Sequence, residues 1–130
     1  MPFAPGRILV VDDEPPLLRM LSLYLDRLGY SVTTAESTDA AWSLVEADPA
    51  GFAVAVLDGS MSGMSMDDLA LRMLRANPAL RVLAASGYPL DMRALSEAAP
   101  GRVDFLQKPF TPEMLATAIR GMIGTQEENL

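Results

Sequence analysis

The sequence predicts an α/β fold in which five short strands alternate with five helices and form one doubly wound, parallel sheet. Three observations predict it. Five apolar, β-branched-rich runs of four to six residues are spread over 130 residues. An amphipathic stretch at helical spacing follows each run. Strands that are apolar throughout need both sheet faces covered, and right-handed crossovers then leave few topologies. The length suits one domain, large enough to bury a core without disulfides.

The elements follow in order. Ile8–Val11 is an apolar strand that stops at Asp12. Pro15 opens a helix, where its missing N–H is tolerated. Leu18, Leu21, Leu25 and Leu28 form its inner face, and Gly29 ends it. Tyr30–Ala35 reads as the second strand. Ser37 or Thr38 caps a helix through Ala47, before Asp48-Pro49. Ala53–Leu57 is the third strand, ending at Asp58. Ser65 or Asp67 starts the third helix, which stops near Ala76. Arg81–Ala85 is the fourth strand, ending at Ser86-Gly87, and Asp91–Ala98 a short fourth helix. Val103–Gln107 is the fifth strand, ending at Lys108-Pro109. Thr111-Pro112-Glu113 caps a last helix whose inner face is Met114, Leu115, Ala118, Ile119 and Met122. Residues 7–123 are thus expected to form the domain, with 1–6 a lead-in and 124–130 a polar, frayed tail. Glu128-Asn129-Leu130 resembles the start of a protease-cleavage tag.

Composition narrows the chemistry. There are no cysteines and no histidines, which excludes thiolate nucleophiles, Cys- or His-ligated metals and imidazole bases. The net charge of −7 disfavours direct contact with nucleic acid or anionic membrane. No apolar run is long enough to span a bilayer and no signal peptide is evident, so a soluble, cytoplasmic protein is expected. The chain uses arginine everywhere except at its single lysine, Lys108. That exception hints at a site needing a compact ammonium.

Ligands of such sheets bind outside the carboxyl ends of the strands. There the sequence places Asp12, Asp13 and Glu14, then Asp58, Ser86 and Lys108. Singly, each has an ordinary explanation: acids at a helix N-terminus, turn caps, an exposed lysine. Jointly they do not, because carboxylates gathered at one rim repel one another and need positive charge. Lys108 supplies one charge and a hard divalent cation the rest, with Mg²⁺ favoured. A carboxylate beside Mg²⁺, an ammonium and a hydroxyl can accept a phosphoryl group without a general base.

The segments Ile8–Pro15 (ILVVDDEP), Val56–Asp58, Leu83–Tyr88 (LAASGY) and Phe105–Phe110 (FLQKPF) resemble the receiver domain of two-component response regulators. The likeness covers about residues 7–123, and the wording is closest to receivers found with hybrid histidine kinases. It implies a CheY-like, flavodoxin-like sheet of order 2-1-3-4-5. Asp58 would be the phosphoacceptor, and Lys108 and Ser86 would bind phosphoryl oxygens. Asp13, Asp58 and the backbone carbonyl of Ser60 would ligate Mg²⁺, with Asp12 acting through water. Pro109 would follow a cis peptide bond. Ser86 and Phe105 would act as a switch read on the surface of the fourth helix, fifth strand and fifth helix. That face is also where two copies would pair weakly. The phosphodonor would be a histidine kinase or histidine phosphotransfer protein, and the downstream partner another protein.

Ser62 and Met66 depart from the family's usual Pro and Gly, Ser86 replaces the commoner Thr, and Phe105 the commoner Tyr. A phosphorylation-independent docking module of the same fold is one alternative. A haloacid-dehalogenase-type phosphatase is another, although Ser60 stands where those enzymes place a second Asp. With no room for an output domain, the chain is expected to act alone, as a phosphate shuttle or by docking. Met61, Met64 and Met66 are expected to fill irregular packing, and Trp42 to pack on the second helix.

Overall fold

The computed structural model describes residues 7–61 and 63–128, with side-chain burial described through residue 123. Ser62, the expected lead-in over 1–6, and the last two residues of the tag-like ending lie outside the described residues. The elements are β1 (Arg7–Val11), α1 (Pro15–Arg27), β2 (Val32–Ala35), α2 (Thr38–Ala47), β3 (Phe52–Asp58), α3 (Met66–Ala76), β4 (Arg81–Ser86), α4 (Arg93–Ala98), β5 (Val103–Gln107) and α5 (Pro112–Glu128). The strands form one parallel sheet of order β2-β1-β3-β4-β5. The predicted doubly wound fold is the observed one.

Alternation along the strands builds two cores. Ile8, Val10, Val54, Val56 and Leu83 face α1 and α5, where Leu18, Leu21, Leu25, Leu115 and Ile119 cover them. Leu9, Val11, Ala55, Leu57, Val82 and Ala84 face the other way, beneath α2, α3 and Leu95 of α4. The pairing of β1 with β3 slips once: Arg7 pairs with Phe52 but Ile8 pairs with Val54. Ala53 is therefore an extra residue, a bulge at the end of the sheet remote from the acids.

Several boundaries move for local reasons. Gly29 stops α1 in the left-handed region at φ 98°. Its N–H donates to Asp26 and that of Tyr30 to Leu25, the paired bonds of a glycine-terminated helix. Tyr30 thus belongs to the helix stop, and β2 begins only at Val32. Ser37 and Ser65 cap α2 and α3 through their hydroxyls. Asp91 precedes α4 instead of opening it, its carboxylate accepting from the Arg93 N–H.

The inner face of α5 is rotated from the predicted one. Met114 is 46% exposed, whereas Ala116 and Ile123 join Leu115, Ile119 and Met122 in the core. The helix also continues to Glu128, across the segment expected to fray. Met66 is buried, and Met61, Met64 and Trp42 pack at the edge of the second core, as fillers do. The Arg72 guanidinium lies 5.8 Å from the centre of the Trp42 ring. Among the described residues no helix is long and apolar enough to cross a membrane.

Candidate functional site

The sheet register assembles the site. Val11 pairs with Leu57, Asp58 with Ala85, and Ser86 with Gln107, so the carboxyl ends of β1, β3, β4 and β5 finish side by side. The ladder continues one step past the strands. The N–H of Gly59 donates to Ala85 at 2.8 Å, that of Lys108 to Ser86 at 2.8 Å, and that of Asp12 to Ala35 at 3.1 Å. Backbone hydrogen bonds therefore hold these loop starts in place.

Asp12, Asp13 and Asp58 each present a carboxylate oxygen within 4.8 Å of the others. Asp12 and Asp58 are buried, at 4% and 5% exposure, while Asp13 is exposed. Lys108 Nζ lies 3.0 Å from Asp12 Oδ2 and 3.4 Å from Asp58 Oδ1. Burial pulls the Lys108 ammonium down, but the hydrogen bond and charge of Asp12, then those of Asp58, outweigh it. Its pKa stands above the ordinary lysine value. Both oxygens of Asp12 are engaged, since Oδ1 accepts from the Glu14 N–H at 3.1 Å. Asp58 Oδ1 accepts from Ser60 twice, from the N–H at 3.2 Å and the hydroxyl at 3.0 Å. Three carboxylates against one ammonium leave two negative charges, and the donors are hard oxygens. The cluster fits a divalent cation of the Mg²⁺ or Ca²⁺ type.

The remaining predicted residues lie around this cluster. Ser86 is 1% exposed, and its hydroxyl accepts from the Tyr88 N–H at 3.0 Å. Phe105, on β5, is half-buried against the core beneath α2, α3 and α4. The Lys108–Pro109 bond is cis. Ser60 is exposed beside Asp58. Glu36, which follows β2, instead lines a groove against α1 with Arg19 and Leu23.

Residues not singled out in the sequence also shape the site. Leu90 folds over Gly59, where an added Cβ would stand 3.1 Å from its Cδ1 and 3.3 Å from the Ser86 Cβ. Such contacts admit a Cβ at position 59 only if a neighbour yields. Beside Lys108 opens a largely apolar groove of about 590 Å³, lined by Glu14, Leu17, Tyr88, Pro109 and Phe110 among others. Tyr88, 71% exposed, forms part of its rim. Of its lining residues, the receiver resemblance already places Tyr88 beside the site, at the end of the segment Leu83–Tyr88.

Comparison with known proteins agrees with this geometry. Residues 8–120 match the family model of the response regulator receiver domain. The chain is 34% identical over 113 residues to the alginate biosynthesis transcriptional regulatory protein AlgB of Pseudomonas aeruginosa, covering 87% of this chain and 25% of that protein. The first relatives are longer proteins, of which the chain spans a quarter to about half. Among solved structures, the receiver domain of the hybrid histidine kinase CckA superposes with a TM-score of 0.76 at 26% identity, over 91% of this chain and 99% of that one. A response regulator from Burkholderia pseudomallei, solved with a phosphorylated aspartic acid, a calcium ion and citrate, gives 0.74 at 26% identity, over 95% and 72%.

Proposed function

The chain belongs to the response regulator receiver domain family, and from that premise we propose that it accepts a phosphoryl group on Asp58 from a histidine kinase or a histidine phosphotransfer protein. One observation carries the assignment to Asp58. It is a buried carboxylate at the centre of the rim whose Oδ1 is held by Ser60 and faced by Lys108, while Oδ2 accepts no hydrogen bond from the described residues. Oδ2 is the atom left to attack phosphorus in line. The donor's bond to phosphorus breaks as the Asp58 Oδ2–P bond forms, and the electron pair leaves with the donor atom.

Lys108 balances charge in both states: against Asp12 and Asp58 beforehand, and against a phosphoryl oxygen afterwards. Mg²⁺, when bound, supplies further charge neutralisation on the phosphoryl oxygens. Asp13, Asp58 and the backbone carbonyl of Ser60 would hold it directly. Asp13 is exposed and accepts no hydrogen bond from the described residues, which suits a direct ligand. Asp12, with both oxygens occupied, suits contact through water.

Ser86 would turn its hydroxyl toward the new phosphoryl group, and Phe105 would follow into the space released. The outcome is a packing change on the α4, β5 and α5 face, driven by a local change of charge. The chain assists its own phosphorylation and does not turn over a separate substrate. A downstream protein would read that face, and weak pairing of two copies would use it as well.

Incubation with acetyl phosphate, with and without Mg²⁺, tests the proposal by intact mass. The expected result is a Mg²⁺-dependent gain of one phosphoryl group, absent in Asp58→Asn. No gain, together with no Asp58-dependent release of phosphate, would favour a docking module that works unphosphorylated.

A further inference from the structure

Sulfur in this chain is confined to methionine: there are nine methionines and no cysteine. An oxidant that attacks sulfur must therefore attack a thioether. Met20, on α1, and Met114, on α5, are each 46% exposed, whereas Met66, Met73 and Met122 are buried. Met61, Met64 and Met92 are half-buried, open to solvent yet packed on the core beneath α2, α3 and α4. Two of these three stand in the loop between β3 and α3, shortly after Asp58. That loop has few other attachments. At its start the Gly59 N–H donates to Ala85 and Ser60 donates to Asp58 Oδ1, and at its end Ser65 caps α3. Among the described residues, Met61, Gly63 and Met64 make no hydrogen bond. Two thioether side chains hold the middle of the loop to the core.

We propose that Met61 and Met64 form a peroxide-sensitive modification site, at which conversion to sulfoxide releases the loop and slows phosphorylation of Asp58. The effect on phosphorylation rests on the phosphoacceptor reading of Asp58. In the step, a sulfur lone pair attacks one oxygen of hydrogen peroxide, and the S–O bond forms as the O–O bond breaks. The proton on the transferred oxygen passes to the departing hydroxide, which becomes water. Sulfur is oxidised by two electrons and the peroxide reduced by two. The product is a polar group where an apolar one was packed. For a half-buried side chain without a donor, the ratio of released to packed loop rises roughly threefold to tenfold. No hydrogen bond in the middle of the loop opposes the release. Ser60, next to Met61, moves with it and loses its grip on Asp58 Oδ1.

The test treats the full chain with hydrogen peroxide in EDTA, removes the oxidant and locates the sulfoxides by peptide mass mapping. Two measurements follow: the urea midpoint in EDTA, and the rate of phosphorylation by acetyl phosphate with Mg²⁺. The treated parent should unfold at lower urea and gain its phosphoryl group roughly threefold to tenfold more slowly. Methionine sulfoxide reductases should restore both. Met61→Leu combined with Met64→Leu keeps the packing volume without the sulfur and should resist in both measurements, although Met20 and Met114 still take up oxygen. Met20→Leu combined with Met114→Leu should be as sensitive as the parent. Should the first pair fail to fold, its single substitutions, each expected to weaken the effect, decide instead. Sulfoxide at Met61 and Met64 with neither measurement changed would overturn the inference. So would losses that persist without those two sulfurs, or oxidation that spares them while converting Met20 and Met114. If the untreated parent forms no Asp58-dependent adduct, the phosphoacceptor reading falls, and the urea midpoint alone decides whether oxidation releases the loop.

Discussion

Replacing Asp58 by Asn removes one negative charge from the rim while nearly preserving the shape of the side chain, and in metal-free buffer it should stabilise the protein. The magnitude follows from the site. Asp58 faces Asp12 and Asp13, each with an oxygen within 4.8 Å. At that spacing each repulsion costs about 0.9 kcal/mol in water and about 3.5 kcal/mol at an effective dielectric of 20. Against them stands Lys108 at 3.4 Å, whose attraction is worth about 1.2 to 4.9 kcal/mol over the same range. The balance is a net repulsion of about 0.5 to 2 kcal/mol, relieved in the variant. Ser60 loses little, because the Asn amide oxygen can accept the bonds that Oδ1 accepts now. Urea unfolding in EDTA, followed by circular dichroism, measures the difference. A gain of 1 kcal/mol would move the midpoint up by about 0.5 M. Adding Mg²⁺ should then stabilise the parent, by about 2.7 kcal/mol at one hundred times the dissociation constant, and the variant much less. A variant less stable than the parent in EDTA would refute the charge argument. Equal stabilisation of both by Mg²⁺ would refute the assignment of Asp58 to the cation site.

Other substitutions probe the frame around the site. Lys108→Ala leaves two buried carboxylates unopposed and should cost about 3 kcal/mol in EDTA, with Mg²⁺ recovering part of it in the same urea titration. Leu83→Ala empties a fully buried position on β4 and should cost about 3 to 5 kcal/mol, read from the shift in the denaturation midpoint. Gly29→Ala should cost roughly 1 kcal/mol, read as a lowered thermal midpoint. Its Cβ would meet nothing within 4 Å, so the penalty is that of a φ of 98° alone.

The fold was legible because its signals are local and repeated. Each apolar run ends at a polar residue of distinct chemistry, and parallel pairing carries Asp12, Asp58, Ser86 and Lys108 to one rim. The errors arose where a residue's partner is distant or where two local signals compete. Tyr30 has strand propensity, but Gly29 and Leu25 recruit it into a helix stop. Met114 is apolar and correctly spaced, yet the angle at which α5 meets the sheet buries Ala116 and Ile123 instead. Arg102 carried no signal at all. Its guanidinium donates to the carbonyls of Leu74, Asn77 and Leu80, tying the end of α3 and the start of β4 to the approach to β5. Backbone carbonyls 22 to 28 residues away leave no pattern in a sequence. At the site, the residue types were readable, but the division of labour between the two oxygens of Asp58 needed coordinates.

Locating the phosphoryl group tests the account most directly. After treatment with acetyl phosphate and Mg²⁺, borohydride reduces an aspartyl phosphate to homoserine, and peptide mass mapping finds the converted residue. The account predicts homoserine at position 58 alone, dependent on Mg²⁺ and absent without the phosphodonor. Conversion at Asp12 or Asp13, or a phosphoryl group retained on Ser60 or Ser86, would contradict it.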